Sequence, residues 1–563
     1  MTKSKLATIL SVILFWGTTV LSLHAQVSVT TYHNDNARTG QNTNETILTP
    51  AAVQSSSFGQ LFQLPVDGQV YAQPLILANV AIGGGTHNVV YVATEHDSLY
   101  AFDADTGTAY WQKSFINPPA VTRASSAQIG CGNISHEYGI TSTPVIDPST
   151  NTIYVVPQTV ESGVFMYRLH ALDVGTGTEK FGGPIAIAGS YGGVVFTPKQ
   201  QMNRAGLLLE NGHIILAWGS HCDHPTYYGW VMSYNATTLA QEAIYNDDVA
   251  GTSEKNAGKN AGIWMAGGGV AADANGNLYL ATGNGDYGPV GQPVDFGDSI
   301  LKLSPPGNGT FAVADWFTPH DQQTFAKIDG DLGSGGVVLL PDQPPGYTHQ
   351  QLLVQMGKKG KLYLVDRNNM GHYCGGCSKD TNIVQEIVGA TIGVWGSPAY
   401  WNGSVYYGSA SDDGGTGTVK AFSLYSTVPY LKLSSQTPEM FSYSTPTPSV
   451  SSNGNSGAIL WVLDNGGFKS RLPTVLHAYD ATNLAIEFYN GDTHPEYQAG
   501  PAVKFSVPTV ANGKVYIGTR NSLTVYGISP SAGVSSPVRR TPVRHASRRN
   551  PSTPLHCHAS TCG

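Results

Sequence analysis

Residues 89–111, VVYVATEHDSLYAFDADTGTAYW, run as strand, tight connection, strand, turn and third strand, and the pattern returns along the chain. VVYVAT and SLYAFD are β-branched and aromatic, and too short for helices. In DADTG, Asp103 bonds local amides and Gly107 takes a left-handed backbone, so a turn is expected there before Trp111 opens the third strand. ALDVGTGTEKF (171–181) repeats AFDADTGTAYW with Phe for Trp, while SYNATTLAQEA (233–243) and AYDATNLAIEF (478–488) are weaker copies. Strand pairs such as GLLLENGHIILAWG, GVAADANGNLYLATG and VPTVANGKVYIGT begin at Pro74, Pro144, Gly206, Gly269, Gly336, Pro398, Pro448 and Pro508, at intervals of 50 to 70 residues. Several short strands repeated at this period predict an all-β chain folded as an eight-bladed β-propeller. After Pro508 there is room for about three strands of ~5 residues each. FGQLFQLPV (58–66) supplies the missing outer strand, so an N-terminal strand closes the ring and leaves no open edge.

Composition agrees. Of 563 residues, 41% are hydrophobic and 12% charged, with 66 glycines and 29 tyrosines. That is far fewer charges than the roughly 25% of an average domain, and a single propeller over 26–528 is expected. Residues 1–25 carry Lys3 and Lys5, an apolar run and a small residue at Ala25, the pattern of a secretory signal peptide. A membrane anchor fits less well because the run is short, and no later segment is apolar enough to span a bilayer. The protein is therefore expected to be exported, to the periplasm or beyond. Residues 529–563 hold five arginines and no acid, and are expected to be a disordered basic tail. Without those arginines and the two leader lysines, the formal charge of −8 becomes about −15, which argues against a nucleic-acid partner. Cys374 and Cys377 stand in CGGC without a thioredoxin-like βαβ pattern, so a local disulfide is expected. Cys131 and Cys222 fall on one face of the ring and form a second candidate pair. No CxxCH occurs, which excludes covalent c-type haem.

AFDADTGTAYW resembles the blade motif of the pyrroloquinoline quinone (PQQ) repeat propellers, and NDNARTG…LTPAAV…FGQLFQLPVDG resembles their opening segment. The chain is similar to the quinoprotein alcohol dehydrogenase-like superfamily over almost all of residues 32–528. The resemblance implies a top face holding PQQ and Ca²⁺, with a tryptophan beneath the quinone. It also implies a carboxylate and an asparagine on the ion, an aspartate as base, and a cation at the quinone oxygens.

Carried over residue by residue, GNLYLATGNGDYG (276–288) places Asn284 on calcium, and Trp264 matches the stacking tryptophan. GSHCDHPTYYGW offers Asp223 where the family has a glutamate, with His221 and His224 beside it. QMGKKGKLYLVDR (355–367) places Lys358 at the quinone. FTPHDQQ (317–323) carries the family's Thr-Pro-His-Asp, yet Gln323 and Thr324 stand where Trp-Asp belongs, leaving Asp329 or Asp331 as the base. Two further departures are a lone Cys131 in place of adjacent cysteines, and Tyr71 in place of a cofactor-holding glutamate.

Read singly, each residue has an ordinary explanation. Asn284 suits a glycine-rich turn, Trp264 suits packing between blades, and Lys358 suits a charged hairpin. HCDH, with its imidazoles, suits zinc or copper better than calcium. Glu95 and His96, in the corresponding loop of the first unit, are candidate ligand contacts. Taken in order along the chain, carboxylate, Trp, Asn, Asp and Lys follow the family's sequence of site residues. This implies an exported dehydrogenase that oxidises an alcohol or sugar and passes electrons to a separate acceptor. The alternative is a non-catalytic propeller whose top face binds a protein or glycan.

Overall fold

The structure is a computed structural model that describes residues 26–224, 226–249, 260–288 and 295–529. The expected leader and the tail from residue 530, including Cys557 and Cys562, lie outside the described residues.

The opening stretch folds as its residues dictate. Strands Leu75–Ile82, Gly85–Thr94, Ser98–Asp103 and Ala109–Ser114 pair in consecutive antiparallel order. The Asp103 carboxylate accepts from the amides of Asp105 (2.9 Å) and Thr106 (2.7 Å), and Gly107 has φ +75°. Trp111 reaches into the next unit, where its Nε1 donates to the Val174 carbonyl at 3.1 Å. A Cβ on Gly177 would lie 2.9 Å from the Trp111 ring, so a glycine is required under the tryptophan. In this first unit the Asp-Gly-Trp signature is thus a turn lock combined with a contact between neighbouring sheets.

The same four-strand meander recurs within 208–246, 271–318, 338–387, 399–436 and 449–490. The last one spans 509–528 and is completed by Phe58–Pro65, which pairs antiparallel with Ser522–Ile528 from Phe58↔Ile528 to Pro65↔Ser522. The chain is an all-β propeller with seven such regular blades. The expectation of eight regular blades is corrected at residues 121–186, which form a composite seven-stranded sheet instead. There the ten-residue strand Val164–Asp173 is too long for one partner. Its first half pairs with Gln158–Glu161 and its second half with Thr152–Val155. The composite packs on both sides through buried apolar side chains: Ile146, Ile153 and Leu172 against the first blade, and Tyr154, Tyr167 and Leu169 against the blade of 208–246.

The segment from Val29 to Asn42 stitches the sheets together. Val29 exchanges backbone hydrogen bonds with Ile76, and Thr30 accepts from Ile146. Asn36 bonds Leu209 and Ala272, Ala37 bonds Leu339, Thr39 bonds Tyr400, Gly40 bonds Val450, and the Asn42 amide donates to Val510. One short stretch therefore touches a strand of each of the seven blades and of the composite sheet, in chain order. Arg38 lies fully buried among them and donates to Thr31 Oγ1, the Tyr32 carbonyl and the Val270 carbonyl.

Candidate functional site

On three sheets the connection following the second strand, or the one entering the sheet, delivers predicted residues to one cavity of about 240 Å³. Asp223 follows His213–Ser220, Trp264 precedes Ala271–Ala272, and Lys358 follows Leu352–Met356. Asp331 comes from the loop between the sheets of 271–318 and 338–387. All four line the cavity.

Trp264 is the floor. Its ring rests on Gly219, Gly262 and Gly283, where an added Cβ would come within 2.5, 2.5 and 2.3 Å of it. No other residue leaves room for an indole at that depth. Its Nε1 donates to the Ser220 carbonyl at 3.0 Å, and Tyr227 meets the ring edge-on at 5.6 Å between centroids. The indole is partly exposed and lines the cavity, so it is a platform and not filling between sheets.

Beside it, Asn284 organises two aspartates. Its backbone amide donates to Asp331 Oδ1 at 2.7 Å, its Nδ2 donates to Asp329 Oδ1 at 2.8 Å, and its Oδ1 accepts from the Asp331 amide at 3.2 Å. Gln323 and Thr324 are taken up in the helix Gln322–Lys327. The chain then turns through Asp329, with φ +57°, to bring both carboxylates to Asn284. Lys358 Nζ stands 2.7 Å from Asp329 Oδ2 and 2.6 Å from Asp331 Oδ2. Burial works against its charge, yet the two carboxylates hold the ammonium well above its ordinary value.

The HCDH loop diverges. His221 is buried edge-on against Tyr138 at 4.5 Å, and burial lowers it to about 3. Cys222 bonds Cys131 with a Cα–Cα distance of 5.6 Å, inside the roughly 7 Å that a disulfide allows. Asp223 turns to the cavity, its carboxylate accepting from Ser220 Oγ at 3.1 Å. His224 lies 3.1 Å from the Gly130 carbonyl. Cys374 and Cys377 form the local disulfide.

Glu95 and His96 do not line this cavity. Glu95 is buried and accepts from the Gly139 amide (2.8 Å) and Thr141 Oγ1 (3.0 Å), and burial raises it to about 7. His96 meets Glu137 at 3.1 Å, which in turn pairs with Arg123 at 2.7 Å. Among the described residues, the one His/Cys/Asp/Glu group whose ligand atoms converge is His320, Asp380 and Glu386. Lys361 already pairs with Glu386 there, at 3.0 Å.

Four residues in or behind the cavity wall escaped the sequence. Tyr227 is fully buried, and burial, followed by Asp223 and Asp331, pushes its phenol well above the usual range. Its signal was the aromatic pair in PTYYGW, directly after Asp223. Arg204, Trp395 and Phe505 also border the cavity, with the Arg204 guanidinium 4.3 Å from the Phe505 ring centroid. They come from three distant loops and carry no local motif.

No protein-family model matches the chain, and no curated protein matches it by sequence. Solved structures do match. A quinohemoprotein alcohol dehydrogenase from Comamonas testosteroni superposes with a TM-score of 0.59 at 14% identity, covering 91% of this chain and 82% of that one. A europium-containing methanol dehydrogenase gives a TM-score of 0.59 at 12% identity, covering 89% and 98%. At such identities the likeness speaks for the fold alone. The chain has the PQQ-type β-propeller fold found in the quinoprotein alcohol dehydrogenases.

Proposed function

We propose that this protein is an exported dehydrogenase that uses PQQ with calcium in the cavity over Trp264 to oxidise an alcohol or sugar. The observation that carries the reading is the indole lying flat on three glycines under a cavity walled by Asp223, Asp331 and Lys358. The residues fit the group. A planar ring system finds an aromatic floor, and Asp223 on the wall offers a hard oxygen of the kind calcium takes, with Asn284 buried behind Asp331. When bound, the quinone would accept hydride from the substrate carbon.

The remaining work belongs to the protein. Asp331 would take the hydroxyl proton, with Asp329 as the alternative base. Asn284 fixes Asp331 from both its amide and its side chain, and Lys358 pairs with the Asp331 carboxylate. Trp395, Phe505 and the Cys131–Cys222 disulfide restrict water at the cavity wall. Electrons would leave to a separate acceptor. We further propose that the composite sheet of 121–186 occupies an eighth position in the ring, since it packs on both neighbours and its strand Val145–Asp147 is stitched by Thr30.

One observation favours a second reading, a propeller that binds a protein or glycan without turnover. Both polar atoms of the Asn284 amide are already bonded to the two aspartates. A turnover assay separates the two. Purified protein given PQQ and Ca²⁺ should reduce an artificial electron acceptor with an alcohol or sugar, and Asp331→Asn should lower kcat at least about 100-fold, as removal of a general base does. Absence of reduction across alcohols and sugars, with quinone bound, would favour the second reading.

A further inference from the structure

A second cavity, of about 520 Å³, adjoins the first and shares Asn133, Asp412, Tyr443 and Lys504 with it. Four cations line it: Lys469 and Arg471 from the loop after Ser456–Asp464, Lys504 from the stretch before Thr509–Ala511, and Arg520 from the turn before Ser522–Ile528. Arg204 stands behind Lys504 against Phe505.

These cations are unpaired. Among the described residues, the lysines and arginines in ion pairs are Lys113, Arg123, Arg168, Lys358, Lys361, Arg367 and Lys514. None of the five is among them. Asp412 stands on the shared rim but pairs with none of them. The chain carries a net charge of −8, so acids are plentiful, yet among the described residues Asp412 is the one acid lining this cavity. The mutual repulsion registers on the buried member. Lys504 is 7% exposed, and burial, Arg204 and Lys469 together lower it to about 7. Arg520 is lowered by burial and by Arg471. Like charges gathered in one concavity, none of them in an ion pair, are relieved by an anion from outside. Neutral hydrogen-bonding groups share the wall: Gln69, Asn133, Ser135 and Tyr443.

We propose that this cavity binds the charged group of a small hydroxylated anion, a sugar carboxylate or a sugar phosphate. On the dehydrogenase reading, on which this further step rests, the anion is the charged end of the substrate. Lys469, Arg471 and Arg520 hold that end, while a hydroxyl at the other end faces Asp331 across the shared residues.

The test is calorimetric titration of the full chain, without cofactor, with D-glucuronate, glucose 6-phosphate and D-glucose. At least one of the two anions should bind at least about tenfold more tightly than glucose and weaken with added salt. Whichever binds more tightly identifies carboxylate or phosphate as the preferred group. Lys469→Ala/Arg471→Ala changes two exposed side chains and should cost at least about tenfold in anion affinity. Equal affinity for all three sugars would overturn the proposal. So would a double variant that binds the anions as the parent does. PQQ is itself an anion, so it is titrated separately with Ca²⁺. A double variant that loses PQQ in the same proportion would also overturn the proposal, because the cations would then serve the quinone. If the parent binds the sugar anion but not PQQ, the dehydrogenase reading fails and the anion site stands.

Discussion

At the scale of single residues, the order of Asp223, Trp264, Asn284, Asp331 and Lys358 was legible, because each follows or precedes a recognisable strand. What makes them a site was not. Gly219, Gly262 and Gly283 are three glycines among 66, on separate segments, and only the folded chain shows them meeting under one indole. They give a direct prediction. Gly219→Ala would put a Cβ 2.5 Å from Trp264 Nε1, tilt the ring off its floor and break its bond to Ser220. Quinone affinity should fall at least about tenfold with little change in folding, as read by fluorescence titration beside a melting curve. A second prediction concerns acid. His33 and His221 are buried neutral, lowered by burial to about 4 and about 3, whereas an unfolded histidine titrates near ~6.5. The unfolded chain therefore binds more protons between those values, so their contribution to stability is present above about pH 6.5 and is lost as pH falls. His221→Phe, keeping the edge contact to Tyr138, should flatten the fall of Tm between pH 6.5 and 4. An unchanged slope would show that His221 takes no part.

Strands and turns were the most legible elements, since Asp-Gly punctuation and β-branched runs are local. The composite sheet was not, because nothing in VFMYRLHALD marks where a ten-residue strand changes partner. Nor does NDNARTG announce that residues 29–42 stitch the seven blades and the composite sheet. That segment depends on Arg38, whose guanidinium satisfies carbonyls fully out of water. Arg38→Ala leaves those acceptors unpaired and should cost about 3 kcal/mol or more in urea unfolding. Deleting residues 26–66 removes both the stitching and the outer strand paired with Ser522–Ile528. The exposed edge should then drive aggregation and lower Tm by more than about 10 °C. A deletion variant that stays monomeric and melts like the parent would refute that role.

For the whole molecule, the repeat predicted a propeller but overstated its regularity, and composition argued against nucleic acid without naming a ligand. The cationic cavity was not legible because Lys469, Arg471, Lys504 and Arg520 lie up to about 50 residues apart, on loops of two different sheets. The central claim is that Trp264, with Asp223 and Asn284, forms a quinone site that needs calcium. It is tested most directly by calorimetric titration of PQQ into parent and Trp264→Ala protein, each with Ca²⁺ and with chelator. The account predicts one quinone per chain for the parent with Ca²⁺, at least about tenfold weaker binding with chelator, and a similar loss in Trp264→Ala. No binding by the parent, or binding indifferent to both calcium and Trp264, would contradict it.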